Sequence, residues 1–179
     1  METLASTASL FTLKKMMKNP VVGQSAVIDL RPRVVSSPES FVAFKRQLAL
    51  AGLSSEGLDK DEHLLVGYYH QDEMVGTGAM EIHGDYGLLR SVSIAGLYKG
   101  KKWGSKIALH LIGKAKESGL KELFLLTETA SGFFNKLGFE ATGREQVPPA
   151  IRNSKQFVEV CPASASCMHL RLAPPCCKS

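Results

Sequence analysis

The distribution of apolar and polar residues predicts short β-strands along much of the chain. In these stretches apolar residues alternate with polar ones, or form a brief run bounded by turn residues, as strands do. They are residues 27–31, 63–69, 74–82, 87–94, 123–127 and 168–172. The polar tip at 71–73 predicts an antiparallel hairpin from the second and third stretches, and Gly84 and Asp85 mark the next turn. Pro32 directly follows the first stretch, which is typical of an edge strand.

Two segments between the strands carry helix boundary signals. Ser-Pro-Glu at 37–39 is a cap-like start, the apolar residues after it recur at near-helical spacing, and Gly52 ends the segment. A shorter helix around Phe133 and Phe134 ends at Gly138. The sequence therefore predicts one helix before the hairpin and another near the end of the domain.

A third helix connects the two strand regions with the strongest apolar character. Ile107, Leu111, Ile112 and Ala115 share one face while charged residues occupy the other, which indicates an amphipathic helix ending at Gly119. Because a helix joins strands 87–94 and 123–127, these two strands are expected to pair in parallel with a right-handed crossover. The predicted fold class is α/β with a mixed sheet.

Length and composition favour one domain. The chain has 179 residues, within the range of about 100 to 200 residues per domain. We assign residues 26–173 to the domain, 1–25 to a flexible or targeting extension, and 174–179 to a disordered tail. The extension has Lys, Ser and Thr but no Arg, so a mitochondrial or plastid transit peptide and a plain extension of a cytoplasmic protein both stay open. No stretch reaches the roughly 18 apolar residues of a membrane span, and we expect no membrane partner.

Cysteine and histidine positions give no sign of a metal site. The four cysteines, at 161, 167, 176 and 177, lie near the C-terminus and cannot form a disulfide framework for the whole fold. The five histidines lack metal-ligand spacing. We therefore expect no metal, and a reduced intracellular setting.

A basic, glycine-containing turn precedes the amphipathic helix. It comprises Lys99, Gly100, Lys101, Lys102, Trp103, Gly104 and Ser105. The free N–H groups of a helix start, the dipole and the lysines favour an anion, and glycine allows close approach to a pyrophosphate. P-loop and dinucleotide-binding patterns are absent, which leaves coenzyme A as the strong candidate. On this segment alone, a basic surface loop without a ligand is about equally favoured.

Residues 94–104 resemble the pyrophosphate-binding motif of the GNAT superfamily of N-acetyltransferases, Val-x-Pro-x-x-Arg/Gln-x-x-Gly-x-Gly/Ala. Lys99 stands at the usual Arg or Gln and Lys102 at the usual first glycine. Residues 134–139 resemble the last six positions of that superfamily's Phe-Tyr-x-x-Leu-Gly-Phe signature, with Phe134 at the tyrosine. The resemblance implies acetyl-CoA as cosubstrate and a mostly antiparallel sheet of about six or seven strands with a V-shaped splay, flanked by helices.

The resemblance extends over residues 26–172 and suggests a branch within the superfamily. Residues 125–130, 149–152 and 161–165 are similar to the arsenic-resistance N-acetyltransferases. The same region also resembles the acetyltransferase domain of N-acetylglutamate synthases. Both similarities imply a small, amino-acid-like amine as acceptor. Superfamily members often pair through their C-terminal strands, so a homodimer through residues 168–172 is a further implication.

The resemblance also implies where the cofactor and the catalytic groups lie. In the superfamily the splayed central strand binds the pantetheine arm, which would place Val92, Ser93 and Ile94 along the cofactor. Phe134 corresponds to the tyrosine that usually protonates the departing thiolate, and phenylalanine has no proton to give. Water or Ser93 would have to protonate the thiolate, or the reaction would proceed without a specific acid.

Further candidates for catalysis and acceptor binding come from the charged residues themselves. Glu81, beside the central strand, and Glu128, at the C-terminal end of a strand, are the candidate general bases. Arg90 and Arg152 are candidates to bind an acceptor carboxylate. For each, an ordinary surface position or salt bridge is an equal or stronger alternative.

Two other classes of function compete with the enzyme. A non-catalytic, acyl-CoA-binding regulatory module is favoured by Lys102 and Phe134. A nucleic-acid-binding protein is suggested only by the net charge of +5, and basic and aromatic residues do not interleave as such proteins require. We therefore expect no nucleic-acid partner.

Overall fold

The computed structural model describes residues 29–172. The predicted extension 1–25 and the tail 174–179 lie outside the described residues, as do Val27, Ile28, Cys176 and Cys177. The strands are β1 Arg31–Val34, β2 Leu64–His70, β3 Glu73–His83, β4 Tyr86–Ile94, β5 Glu122–Thr127, β6 Glu140–Ala141 and β7 Ser166–Arg171. The α-helices are α1 Pro38–Leu50, α2 Trp103–Glu117, α3 Ser131–Asn135 and α4 Pro149–Arg152.

The seven strands form one mixed sheet in the order β1-β2-β3-β4-β5-β7-β6. Within residues 29–172, only β4 and β5 pair in parallel, and α2 makes the crossover between them. The other neighbouring strands are antiparallel. The α/β class, the hairpins and the parallel βαβ unit predicted from the sequence are therefore confirmed.

Three hydrophobic clusters cover the two faces of the sheet. α2 contributes Ile107, Leu111 and Ala115 to the largest cluster, which also contains Leu89 and Leu123. The opposite face packs against α1 in one cluster and against the segment containing α4 in another. Because successive strand residues point to opposite faces, Leu88 and Leu89 belong to different clusters. β4 is thus buried on both sides for most of its length.

The structure corrects two parts of the sequence interpretation. The first strand starts at Arg31 and includes Pro32, so the strand predicted to end before that proline has the wrong bounds. Proline is tolerated there because β1 is an edge strand, bonded only to β2. The region from 140 to 160, for which no elements were predicted, holds β6, a 3₁₀ turn at Arg144–Gln146, α4 and a π-helical turn at Gln156–Val160.

α1 begins with a reciprocal capping arrangement. The Ser40 N–H donates to Ser37 Oγ at 3.2 Å, and the Ser37 N–H donates to Ser40 Oγ at 3.1 Å. Pro38 occupies the first helical turn, where its missing N–H costs nothing. The cap predicted from Ser-Pro-Glu is confirmed, and Ser40 completes it.

Removing this cap gives a modest prediction for stability. Ser37→Ala is expected to lower the free energy of unfolding by about 1 kcal/mol, because the start of the helix loses its capping hydrogen bond. Thermal unfolding should show the melting temperature falling by about 2–4 °C. The exposed Ser164→Ala, in a turn outside the helices, is the matched control, and an equal loss in both variants would contradict the assignment.

Candidate functional site

The central feature is the separation of β4 from β5. The two strands pair where Tyr86, Gly87 and Leu88 face Glu122, Leu123 and Phe124. In the part of the chain that is described, no pairing continues beyond Leu88, although β4 runs on to Ile94 and β5 to Thr127. The strands therefore splay. The N–H and C=O groups of β4 that would otherwise bond to β5 beyond Leu88 have no partner strand on that side and are available to a ligand.

A bulge in β4 accompanies the splay. Thr77 of β3 pairs with Ser93, whereas Ala79 pairs with Arg90, so an extra residue of β4 lies opposite Gly78. Ser91 takes the left-handed conformation, with φ of 58°. Bulges bend and twist a strand and re-aim its side chains. The bulge thus accounts for the departure of β4 from β5.

A cavity of about 820 Å³ fills the space between the splayed strands. This is within the range of about 300–1,000 Å³ typical of small-molecule sites. Its wall comes from both strands, the loop after α1, α3 and the segment around the π-helical turn. Of the residues predicted from the sequence, the cavity wall contains Arg90, Val92, Ser93, Ile94, Lys99, Glu128 and Phe134.

The basic turn lies at the end of β4 and leads into α2. Lys106 N–H makes the first helical bond, to the Lys102 carbonyl at 3.2 Å. The N–H groups of Trp103, Gly104 and Ser105 are at the first three helical positions, where no intrahelical acceptor exists. They stand at the positive end of the helix dipole, beside the exposed Lys99, Lys101 and Lys102. The turn has the composition and geometry of an anion site.

Backbone conformation explains the glycine usually found at the position of Lys102. Lys102 is left-handed, with φ of 59°, and Gly100 has φ of 80°. Glycine adopts this conformation without steric cost, whereas an L-residue pays about 1–2 kcal/mol. Lys102 therefore keeps the backbone path of the turn at a cost in strain, and adds a positive charge.

Ser93 is held by a neighbour in a way that limits its chemistry. Thr77 Oγ1 donates to the Ser91 carbonyl at 2.8 Å. In the 2.6 Å contact between Thr77 and Ser93 hydroxyls, Ser93 must then be the donor. Because its proton is engaged, the sequence-based suggestion that Ser93 protonates the thiolate loses support.

The two predicted glutamates have different environments. Glu81 is 3% exposed and ion-paired with Arg90, whose Nη1 donates to Oε1 at 2.6 Å. His83 Nε2 lies 3.3 Å from the other carboxylate oxygen. Glu81 is not in the cavity wall, and its two oxygens contact Arg90 and His83. Glu128, by contrast, is exposed at the end of β5 and lines the cavity.

The two arginines predicted to bind the acceptor also differ in burial and in position relative to the cavity. Arg90 is buried, lines the cavity and donates from Nη2 to the Glu56 carbonyl at 2.7 Å. Arg152 is exposed on α4 and is absent from the cavity wall. The structure therefore brings Arg90, but not Arg152, to the cavity.

The wall also contains residues that the sequence interpretation did not single out as functional. Gln156, in the π-helical turn, donates from Nε2 to Cys161 Sγ at 2.8 Å. Burial raises the pKa of the Cys161 thiol, opposed by this hydrogen bond and by the charges of Arg90 and Arg144. Cys167, on β7, has its pKa raised to about 11 by burial. No periodic signal marks a single π-helical turn, so Gln156 could not be found from the sequence.

The described part of the chain holds neither a metal centre nor a membrane-spanning helix. Between residues 29 and 172, no group of three His, Cys, Asp or Glu side chains is placed to hold a metal ion. Over the same range, no helix has both the length and the apolar character needed to cross a bilayer.

Comparison with known proteins gives a family and a fold. Residues 30–139 match the model of the acetyltransferase (GNAT) family. The uncharacterized protein YyaT of Bacillus subtilis strain 168 is 35% identical over 91 residues, which span 50% of this chain and 60% of YyaT.

Solved structures agree with the fold at low sequence identity. N-acetylglutamate synthase from Neisseria gonorrhoeae, solved with coenzyme A and N-acetyl-glutamate, superposes with a TM-score of 0.66 at 19% identity. That alignment covers 81% of this chain and 35% of the synthase. Rv2747 from Mycobacterium tuberculosis, solved with CoA, gives 0.64 at 22% identity, covering 80% of this chain and 99% of Rv2747.

Proposed function

The chain belongs to the acetyltransferase (GNAT) family, and from that premise we propose that it transfers the acetyl group of acetyl-CoA to the amine of a small, amino-acid-like acceptor. The observation that carries the proposal is the cavity between β4 and β5, whose wall reaches Lys99 in the basic turn. The cavity thus gives an open path from free main-chain groups of β4 to the first lysine of the basic turn, which leads into the start of α2. This is the arrangement that a pyrophosphate with a long thioester arm requires.

The residues of the path suit the parts of acetyl-CoA. The N–H groups of Trp103, Gly104 and Ser105, with the neighbouring lysines, would bind the pyrophosphate. The main chain of Val92, Ser93 and Ile94 would hold the pantetheine arm, because β5 does not occupy its hydrogen-bonding groups there. An N–H from this stretch is also the candidate to stabilise the oxyanion.

Amide formation requires a neutral amine, so a base must take a proton from the acceptor ammonium. Glu128 is the stronger candidate, because it lines the cavity and is in contact with solvent, to which it can pass the proton. Glu81 lies outside the wall and is committed to Arg90. The tetrahedral intermediate then collapses with loss of the thiolate, which takes its proton from water.

Protonation of the departing thiolate gives a prediction at Phe134. Phe134 is buried in the cavity wall against the rings of Phe133 and Phe139. Phe134→Tyr adds a hydroxyl at the position where the resembled motif has tyrosine, and we expect kcat to rise severalfold through general-acid catalysis. The KM for acetyl-CoA should not change. Phe133→Tyr is the matched control on the neighbouring ring, and an equal effect from it would argue against a specific acid at position 134.

The acceptor class rests on similarity as well as on geometry. The Neisseria synthase structure contains N-acetyl-glutamate, and residues 125–130 and 161–165 resemble arsenic-resistance acetyltransferases. Glutamate and arsenic-containing amino acids are therefore the first acceptors to consider. Arg90, buried at the cavity, supplies the guanidinium that a carboxylate would contact.

The alternative is a regulatory module that binds acyl-CoA without turnover, favoured by strain at Lys102 and the missing tyrosine hydroxyl. The deciding experiment follows free thiol release from acetyl-CoA by the full chain. Acceptors would be amino acids, including glutamate and arsinic and phosphinic analogues, and polyamines. Acceptor-dependent release supports the enzyme. Micromolar binding of acetyl-CoA by calorimetry, with no release for any acceptor, supports the module.

A further inference from the structure

Some buried side-chain polar atoms of the described residues have no hydrogen-bond partner. Among residues 29–172 they are Arg90 Nε, Trp103 Nε1, Arg144 Nε and Gln156 Oε1. Except for Trp103, these residues lie around the Cys161 thiol. Gln156 donates to Cys161 Sγ, and the positive charges of Arg90 and Arg144 lower the pKa of that thiol. Native proteins leave few buried polar atoms unbonded, so such a group calls for an explanation.

Two of these atoms belong to residues of the cavity wall and have complementary chemistry. Arg90 and Gln156 both line the cavity. Arg90 Nε carries a hydrogen to donate, and Gln156 Oε1 has lone pairs to accept. The Arg90 side chain is only 3% exposed, so bulk water does not supply a hydrogen-bond acceptor for Nε. A ligand with one acceptor group and one N–H donor would satisfy both.

Both side chains are fixed before any ligand arrives. The other two guanidinium nitrogens of Arg90 are bound to Glu81 and to the Glu56 carbonyl, which leaves the Nε edge. The Gln156 amide is anchored through Nε2 to Cys161, which leaves Oε1. Side chains held in this way lose little conformational entropy when a ligand binds.

We propose that Arg90 and Gln156 form the acceptor-recognition pair of the cavity, selecting free amino acids over simple amines and polyamines. Arg90 Nε–H donates to a carboxylate oxygen of the acceptor, and Gln156 Oε1 accepts from its amino group. This rests on the proposed acetyl transfer and adds to it a residue, Gln156, that determines specificity. Because the Arg90 charge is already paired with Glu81, recognition depends on the direction of two hydrogen bonds rather than on net charge.

The test compares each amino acid with the amine formed by removing its α-carboxyl group, for example glutamate with γ-aminobutyrate. The full chain should favour the amino acid by at least about tenfold in kcat/KM, the scale of one lost hydrogen bond to a charged group. Equal rates for the two members of every pair would overturn the proposal.

Substitutions at Gln156 test the second half of the pair. Gln156→Met removes both polar atoms at similar length, and we expect the KM for the amino acid to rise about tenfold with an unchanged KM for acetyl-CoA. Gln156→Glu keeps an oxygen acceptor but loses the Nε2 donor that anchors the side chain to Cys161, so its KM should lie between those of the parent and of Gln156→Met. Glu159→Gln, exposed on the same turn and outside the cavity wall, is the matched control.

The outcomes separate the two proposals. If the unmodified chain acetylates amino acids but Gln156→Met leaves their KM unchanged, the recognition pair is wrong and the proposed function stands. If the unmodified chain acetylates no amine, the proposed function fails and the pair fails with it. Circular dichroism and the Kd for acetyl-CoA verify that each variant is folded. Should Gln156→Met not fold, Gln156→Asn, which withdraws the amide by one methylene, carries the same expectation.

Discussion

Arg90→Met is expected to lower the free energy of unfolding by about 3–5 kcal/mol, because it leaves the Glu81 carboxylate buried without its cation. Both side chains are almost fully enclosed, at 3% and 4% exposure, and the joining hydrogen bond is 2.6 Å. For a chain of this size the melting temperature should fall by about 6–20 °C, measured by thermal unfolding.

A double variant separates the cost of an unpaired charge from the loss of packing. Glu81→Met combined with Arg90→Met removes both charges and replaces them with apolar side chains. Buried ion pairs replaced in this way often lose little stability, so the double variant should recover most of the loss. If Arg90→Met has no measurable effect, or if the double variant is as unstable as the single one, the unpaired Glu81 carboxylate does not cause the loss of stability.

Ser105→Asp is expected to raise the Kd for coenzyme A at least about tenfold, because a carboxylate would stand where the N–H groups of α2 meet the pyrophosphate. The same change should leave the fold intact or slightly more stable, since an acidic residue in the first helical turn interacts favourably with the dipole. Titration calorimetry measures the affinity. Pantetheine, which lacks the pyrophosphate, should bind both proteins equally.

The other end of the same helix provides the control. Ser118→Asp introduces an identical charge at the C-cap of α2. It lies about 20 Å from residue 105 at 1.5 Å per helical residue, beyond the screening length of about 8–10 Å at moderate salt. Its Kd for coenzyme A should match that of the parent chain. A similar loss in both variants would indicate that only overall charge matters, and that the helix start is not the anion site.

Periodicity predicted the parts of the fold that repeat a simple pattern. α2 was predictable because Ile107, Leu111 and Ala115 recur at helical spacing and are fully buried. The parallel pairing of β4 with β5 followed from the helical connection between them. The region from 140 to 160 was not predictable, because short turns of 3₁₀, α and π type are set by tertiary contacts rather than by period.

The candidate site was harder to predict from the sequence than the fold. The bulge in β4 places Ser91, and not a glycine, in the left-handed conformation. The bulge therefore could not be predicted from the residue type at that position. It also shifts the β3–β4 register beyond Arg90, so that Ser93 rather than Val92 pairs with Thr77. Arg90 reaches Glu81 in the unbulged part of the hairpin, where Ala79 pairs with Arg90 and Glu81 with Leu88. The basic turn was found because its glycines and lysines are adjacent in sequence. The roles of Val92, Ser93, Glu128 and the turn residues stay predictions.

The proposed function requires acetyl-CoA to react with a small amine in the cavity between β4 and β5. The most direct measurement is mass spectrometry of the products when the full chain is incubated with isotopically labelled acetyl-CoA and a pool of amino acids. We predict the labelled acetyl group on the nitrogen of an amino acid and one free thiol for each product. At acetyl-CoA concentrations below the Kd, both should form at least about fivefold more slowly in Ser105→Asp but not in Ser118→Asp. Label that remains on coenzyme A despite tight binding would contradict the account.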